Sequence, residues 1–154
     1  MKTWSNKSKK VYDQLDGRLQ RLVTRIRDEV TDISLLYGHR DREEQNTMYE
    51  NGVSKLRYPH SKHNRKPSLA VDLQPYPYPT YEPKLWGALG MIAGRAHGIA
   101  REEGFRIRWG GDWDGDGDLT DQNFDDLFHI EVLHNEEHHV GTTGIGRTNR
   151  GSDT

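Results

Sequence analysis

The feature that most constrains the fold is the short apolar run LAVDL at residues 69–73, which lies between Pro67 and Pro75. The run predicts a strand, because it is apolar, short and bounded by residues that end regular structure. Asp72 is its only charged residue. A carboxylate is costly to bury unless it is paired or binds a metal ion. A buried strand of this kind therefore needs partners for Asp72 from elsewhere in the chain.

The composition indicates a hydrophobic core that is small for the length of the chain. The 154 residues suffice for one domain, but only 32% of them are hydrophobic and 30% are charged. The mean hydropathy is −1.00. Either the ends of the chain are disordered or something besides packing stabilises the fold. A bound metal ion would provide such stabilisation.

Several functional classes are excluded by residue usage. The chain has no cysteine, which rules out disulfides, thiolate zinc sites and cysteine nucleophiles. The 22 basic and 24 acidic residues give a net charge of −2, whereas a nucleic-acid binder would show a basic excess. No apolar run has the length of a membrane span, and the N-terminal residues lack the apolar core of a signal peptide. We therefore expect a soluble, monomeric protein that binds no nucleic acid and does not insert into membranes.

The hydrophobic periodicity predicts a single α+β domain over residues 1–154, with a flexible tail from about residue 135. Its architecture is expected to be a small antiparallel sheet that carries the functional site, flanked by helices packed on the other face. Helices are predicted over roughly 8–30, 40–52 and 83–103, the last with Trp86 on its apolar face. Strands are predicted at 33–37, 69–73, 105–109 and 128–133.

The histidines include one with an unusual setting. A single histidine is usually a surface or packing residue, but His129 lies in the predicted strand FHIEV, with Asp126 three residues before it. His63 and Asp72 bracket a turn that would bring them together. Two histidines and one aspartate are three protein ligands, which leave one open position on a tetrahedral zinc ion. Glu131 shares a strand face with His129 and either holds the second nitrogen of a ligand histidine or faces solvent.

A second cation site is predicted in the stretch DWDGDGDLTDQN at residues 112–123. Its opening matches the D-x-D-x-D-G pattern of a calcium loop, in which alternate oxygens converge on the ion and glycine allows a sharp turn. Position twelve is Asn123 instead of a bidentate acid, so the affinity should be reduced. The alternative is a solvated acidic turn. The candidate calcium ligands are Asp112, Asp114, Asp116, Asp118 and Asp121.

Three blocks in chain order, SKHNRKPSLAVDLQP, GGDWDGDGD and DDLFHIE, resemble the zinc peptidases of the D-alanyl-D-alanine carboxypeptidase superfamily. In that superfamily a Ser-x-His element leads into an Ala-x-Asp strand, and a later acid-x-x-His supplies the last ligand. The resemblance extends from about Tyr37 to Val132 and is nearest to phage endolysins that act as L-alanyl-D-glutamate peptidases. One departure is the segment NRKPS, which is longer than the glycine-containing turn of many members. The implied fold is that of D-Ala-D-Ala carboxypeptidase and hedgehog-like domains.

The resemblance also implies roles for five residues. His63, Asp72 and His129 would be the zinc ligands, and Asp126 would activate the water that zinc binds. Arg40, in YGHRDREEQ, would steady the substrate carbonyl and the developing oxyanion. These roles agree with the chemistry, since zinc lowers the pKa of its bound water to about 7 and polarises a carbonyl. A carboxylate outside the zinc ligands can then move protons, and a fixed guanidinium stabilises negative charge.

The function that the resemblance implies is hydrolysis of the L-Ala–D-Glu bond in bacterial peptidoglycan by a phage lysis enzyme. With no signal peptide, the enzyme would wait in the host cytoplasm until a holin-like pore lets it reach the periplasm and cell wall. Two alternatives remain open. One is a D,D-carboxypeptidase that trims the terminal D-alanine, and the other is a non-catalytic, zinc-containing binding module of the same fold.

Overall fold

The computed structural model of the protein describes residues 2–134, so the predicted tail lies outside the described residues. The helices are α1 (Asn6–Tyr12), α2 (Gly17–Glu29), α3 (Arg42–Glu50) and α4 (Glu82–Glu102), with a short 3-10 helix at Lys62–Asn64. The strands are β1 (Ile33–Tyr37), β2 (Ala70–Pro75), β3 (Arg106–Gly110) and β4 (Asp126–Leu133). Within residues 2–134 no helix is long and apolar enough to cross a membrane.

The four strands form one sheet in the order β1-β2-β4-β3, and each neighbouring pair is antiparallel. Alternate side chains of the strands point to opposite faces. One face, which includes Val71, Leu73, Ile130 and Val132, packs into the hydrophobic core together with α2 and α4. The other face carries polar side chains. The predicted α+β architecture with a small antiparallel sheet is therefore confirmed.

The predicted helix over residues 8–30 is wrong in one respect, because the structure divides it into α1 and α2. The break occurs where the backbone N–H of Asp16 donates to the carbonyl oxygen of Ser68, at 2.9 Å. Leu15 forms an isolated bridge with the same residue. The Asp16 side chain then caps α2 by accepting from the backbone of Arg18. A tertiary contact with the segment before β2 thus overrides the helical periodicity.

The predicted position of Trp86 on the buried face of α4 is also wrong. Trp86 is 52% exposed, whereas its neighbour Leu85 is buried. The rest of the apolar face, including Ile92, Ala96 and Ile99, is buried as predicted. Trp86 instead lines an open groove above the polar face of the sheet.

Candidate active site

Three side chains that are distant in the sequence meet on the polar face of the sheet. His63 is the middle residue of the 3-10 helix, and Asp72 lies in β2. His129 lies directly opposite Asp72 in β4. The Oδ1 atom of Asp72 is 3.2 Å from both Nε2 of His63 and Nδ1 of His129. The two ring nitrogens are also 3.2 Å apart. The structure thus brings together the three residues that the sequence predicts as zinc ligands.

The geometry of these three atoms fits a tetrahedral zinc ion. Zinc–nitrogen and zinc–oxygen bonds of about 2.0–2.1 Å in a tetrahedron place the ligand atoms about 3.3 Å apart. The three observed separations of 3.2 Å agree with that value. The set of two imidazoles and one carboxylate is also a usual one for zinc sites with an open position. Each of the three residues is buried.

Each ligand is held by a second contact on the side away from its two partners. His63 Nδ1 donates to the carbonyl oxygen of Gly38 at 2.6 Å, and a guanidinium nitrogen of Arg40 donates to Asp72 Oδ2 at 2.8 Å. His129 Nε2 donates to Glu131 Oε1 at 2.8 Å. Such contacts orient metal ligands and select the ring nitrogen that faces the ion.

The turn that carries His63 is stabilised by local hydrogen bonds. Ser61 Oγ accepts from the backbone N–H of His63, and Asn64 Oδ1 accepts from the backbone N–H of Ser61. This reciprocal pair is a capping box. The backbone carbonyl of His63 also accepts from the N–H of Arg40 at 2.8 Å. The turn is therefore fixed relative to Arg40, which lies three residues after the end of β1.

The electrostatics of the metal-free site follow from burial and from the charges within it. Burial by itself would raise the pKa of Asp72, but the charges and hydrogen bonds of His63 and His129 hold that pKa well below its usual range. Burial would lower the pKa of His129, yet hydrogen bonds to Asp72 and Glu131 raise it to about 10. Burial would raise the pKa of Glu131, but its interactions with His129 and Arg108 lower that pKa to about 2. The site is thus a strongly coupled group of charges.

Asp126 lies at the edge of this group. Its Oδ2 atom is 4.0 Å from His129 Nδ1, and its side chain is 33% exposed. Burial is the main cause that raises its pKa. The position depends on Gly110 of β3, because a Cβ atom there would lie only 2.1 Å from the carbonyl oxygen of Asp126. A raised pKa beside a metal-ligand group is the setting expected of a general base.

Arg40 is buried beside the ligands and does not extend freely into the groove. Besides its bond to Asp72 Oδ2, its guanidinium lies 4.9 Å from the ring of Tyr37. Its Nε atom is buried and has no hydrogen-bond partner among the described residues. The structure therefore shows Arg40 first of all as a residue that holds Asp72.

The acidic loop between β3 and β4 is organised around Asp112. Carboxylate oxygens of Asp112, Asp114 and Asp116 lie within 4.8 Å of one another, and Gly117 has a φ of 86°, which favours glycine. Asp112 accepts from three backbone N–H groups of the same loop, at residues 115–117. Of the two further candidates, Asp118 accepts from Thr120 and Asp121 accepts from Gln122. The structure thus groups three of the five predicted calcium ligands.

Trp113 connects this loop to the site. Its ring centroid is 5.6 Å from that of His129, and the Arg108 guanidinium lies 5.8 Å from the same indole ring. The indole N–H donates to the carbonyl of Phe124 at 2.6 Å. Trp113 lies between Asp112 and Asp114 in the sequence and packs against His129. A shift of the loop would therefore change the contact between these two rings.

The site lies in a groove of about 1200 Å³. Apolar side chains from the loop after α3, including Val53 and Leu56, form part of its wall. Trp86 of α4 and Phe124 also line it, and the Nζ atom of Lys55 lies 5.3 Å from the Phe124 ring centroid. A groove of this volume, lined by both apolar and charged side chains, has room for a peptide.

Some functional residues were not identified from the sequence. Gly38 contributes only a backbone carbonyl, which carries no sequence signal. Arg108 alternates with core residues in β3, and this spacing places it on the polar face. Gly110 and Trp113 both lie within the motif GGDWDGDGD, but their roles depend on contacts with Asp126 and His129 of β4.

A sequence profile of the family described as phage L-alanyl-D-glutamate peptidase matches residues 2–133. Among curated proteins, none matches this chain. Among solved structures, the crystal structure of Serratia marcescens L-Ala D-Glu endopeptidase ChiX superposes with a TM-score of 0.62. The two chains are 22% identical, and the match covers 84% of this chain and 89% of ChiX. At this identity the structural likeness supports the fold, whereas the profile covers most of the chain and identifies the family.

Proposed function

The chain belongs to the phage L-alanyl-D-glutamate peptidase family, and from this premise we propose that it cleaves peptidoglycan stem peptides as a zinc enzyme. His63, Asp72 and His129 are the proposed ligands. The observation that carries the proposal is the convergence of their three ligand atoms at separations of 3.2 Å. When bound, zinc supplies a Lewis acid for the scissile carbonyl and acidifies a water molecule.

Asp126 is the proposed general base and acid. Its carboxylate stands at the open edge of the ligand group, 4.0 Å from His129 Nδ1, and borders the groove. From there it takes a proton from the attacking water and passes it to the leaving amine of D-glutamate. Its partial burial supports this role, because a raised pKa brings a carboxylate nearer to the working pH.

For Arg40 we propose two functions. The bond from its guanidinium to Asp72 Oδ2 holds that carboxylate so that Oδ1 faces the histidines. The same guanidinium lines the groove and stabilises the substrate carbonyl oxygen as it gains negative charge.

Calcium is the proposed ion of the acidic loop. Asp112, Asp114 and Asp116 occupy positions one, three and five of the calcium pattern, and the structure groups their oxygens. Asp118 and Asp121 complete the proposed site from positions seven and ten. The contact between Trp113 and His129 provides a route by which ordering of the loop affects the active site.

The remaining parts of the proposal concern access to the substrate. Peptidoglycan is the expected partner of a peptidase of this family. We propose that the monomeric enzyme stays in the host cytoplasm until a holin-like pore admits it to the periplasm, where it acts on the cell wall.

The direct test is to digest purified peptidoglycan with the zinc-loaded protein and identify the new termini by mass spectrometry. Cleavage between L-alanine and D-glutamate should leave a new N-terminal D-glutamate. Glu102→Gln, at an exposed position on α4, serves as a control that should cleave normally. Release of terminal D-alanine alone would indicate a D,D-carboxypeptidase, and binding without any new terminus would indicate a non-catalytic module.

A further inference from the structure

The two histidines of the candidate zinc site present opposite ring nitrogens to the shared centre. His63 directs Nε2 toward Asp72, while His129 directs Nδ1 toward the same oxygen. A neutral imidazole carries its proton on one nitrogen and a lone pair on the other. Whatever holds the outer nitrogen of each ring therefore determines whether the inner nitrogen is free to bind the ion.

The outer acceptors of the two rings differ in kind. Gly38 provides a backbone carbonyl for His63, and its position depends only on the backbone after β1. For His129 the acceptor is the side chain of Glu131, which lies two residues along β4 on the same face. Glu131 is only 5% exposed. A buried carboxylate needs compensating partners of its own.

Two cations provide that compensation. A guanidinium nitrogen of Arg108, which is paired with Glu131 in the β3–β4 register, donates to Glu131 Oε2 at 2.9 Å. Lys62 Nζ lies 4.0 Å from the same oxygen and donates to the carbonyl of Val132 at 2.8 Å. One oxygen of Glu131 thus faces the cations and the other faces His129.

We propose that Glu131, held by Arg108, is a positioning residue that fixes the ring and the tautomer of His129 for metal binding through Nδ1. This inference rests on the proposed zinc peptidase function and goes beyond it, because it assigns a role to two residues outside the proposed ligand set and outside the proposed acid–base pair of groups. Since the contact acts on a proposed metal ligand, its loss lowers metal affinity and leaves the Nε2 proton of His129 without its acceptor, open to exchange with solvent.

The test compares three variants with the wild-type protein. Glu131→Ala removes the acceptor and should weaken zinc binding by roughly 10- to 100-fold. Glu131→Gln keeps an oxygen that can accept from His129 and should recover much of that loss. Arg108→Met keeps an unbranched side chain that can pack like the aliphatic part of arginine but removes the charge, and should give a smaller loss than Glu131→Ala. Glu102→Gln is the control for removal of an acid elsewhere.

Zinc affinity is measured by competition with a chromophoric chelator, on protein whose fold is verified by circular dichroism. Long-range proton–nitrogen NMR spectra of the zinc-loaded protein give the second readout. In the wild-type protein His129 should carry its proton on Nε2, whereas Glu131→Ala should lose this protected N–H signal. If Glu131→Ala does not fold, Glu131→Gln and Arg108→Met provide the same two measurements.

The outcomes separate this inference from the proposed function. If the wild-type protein binds zinc and cleaves peptidoglycan while every folded variant has unchanged zinc affinity and an unchanged His129 spectrum, the positioning role is wrong and the zinc peptidase stands. If the wild-type protein holds no zinc, both proposals are wrong. Loss of thermal stability with unchanged zinc affinity and an unchanged spectrum would show that Glu131 serves only packing.

Discussion

The ligand group on the sheet and the acidic loop are both candidate cation sites, but their ligands are held in different ways. His63, Asp72 and His129 come from three separate elements, and each has a second hydrogen bond that fixes its orientation. The loop aspartates come from one short segment, where Asp112 accepts mainly from its own loop backbone and Asp116 is exposed. We therefore expect the first site to be ordered by folding itself and the second to gain order when it binds an ion.

This difference predicts that the two sites respond differently to the removal of a ligand. Removing a ligand from the sheet site should abolish both metal binding and activity, because only two of the three proposed protein ligands would remain. Removing a ligand from the loop should change the response to calcium while the fold and the zinc site remain. The following predictions test this contrast, beginning with the largest expected effect.

His129→Ala should lose both stoichiometric zinc and lytic activity, because it removes one of three proposed protein ligands and leaves Oε1 of the buried Glu131 without its hydrogen bond. Metal analysis of the purified protein and a zymogram measure the two effects. His134→Ala, at the exposed end of the described chain, is the matched control and should keep one zinc per chain. Full zinc content in the His129→Ala protein would remove this residue from the proposed site.

Asp126→Asn should retain zinc but lower turnover by roughly 100-fold or more, because asparagine keeps the shape and cannot accept the proton. Burial raises the pKa of Asp126, so the acid limb of the wild-type activity profile should lie above the ordinary pKa of aspartate. Rates of peptidoglycan digestion as a function of pH test both statements. Asp13→Asn, at the exposed residue that follows α1, should behave like the wild-type protein.

A folded, zinc-loaded Asp126→Asn enzyme with nearly normal turnover would show that another group is the base. The carboxylate of Glu131 would not be the first choice in that case, because both of its oxygens are engaged by His129 and Arg108.

Zinc affinity should rise by about tenfold per pH unit through the neutral range, because the metal must displace a proton from His129. The folded-state pKa of this histidine, about 10, lies above its ordinary value of 6.5, so the metal-free protein holds the proton until the pH approaches 10. Chelator competition at several pH values measures the slope. An affinity that stays constant above pH 7 would mean that His129 has an ordinary pKa in the metal-free protein.

Calcium should have the smallest effect, with a dissociation constant of roughly 10⁻⁵ to 10⁻³ M, since position twelve of the loop lacks an acid. Addition of calcium to zinc-loaded enzyme should alter the fluorescence of Trp113, which packs against His129, and should increase the rate of lysis several-fold. The double variant Asp114→Ala, Asp116→Ala should lose both responses. The Trp113→Phe variant should lose the fluorescence change, which would assign that change to Trp113.

Asp118→Ala is a control within the loop, to be compared with the double variant Asp114→Ala, Asp116→Ala. Position seven of the calcium pattern uses its backbone carbonyl, and the Asp118 side chain instead accepts from Thr120. This variant should therefore keep the calcium response. Calcium control through the loop is wrong if the double variant responds like the wild-type protein.

Much of the fold could be predicted because its signals are local. Short apolar runs and alternating patterns marked the strands, and the strand predicted at 69–73 is found as Ala70–Pro75, shifted by one residue at its start and two at its end. The break between α1 and α2 could not be predicted, because it depends on the hydrogen bond between Asp16 and Ser68, which are 52 residues apart in the chain. Periodicity describes one element at a time and carries no information about such contacts.

The sequence by itself determined the chemical types at the site: two imidazoles and a carboxylate, an acid three residues before His129, and a loop rich in aspartate. These follow from short motifs in the chain and from their resemblance to the zinc peptidase superfamily. Tertiary structure alone decided that Arg40 binds Asp72 and that Gly38 accepts from His63. It also decided between the two alternatives for Glu131, which is buried against His129 and Arg108 and not exposed to solvent. The physical reason is that a buried charge needs partners, and those partners come from strands and turns that only folding brings together.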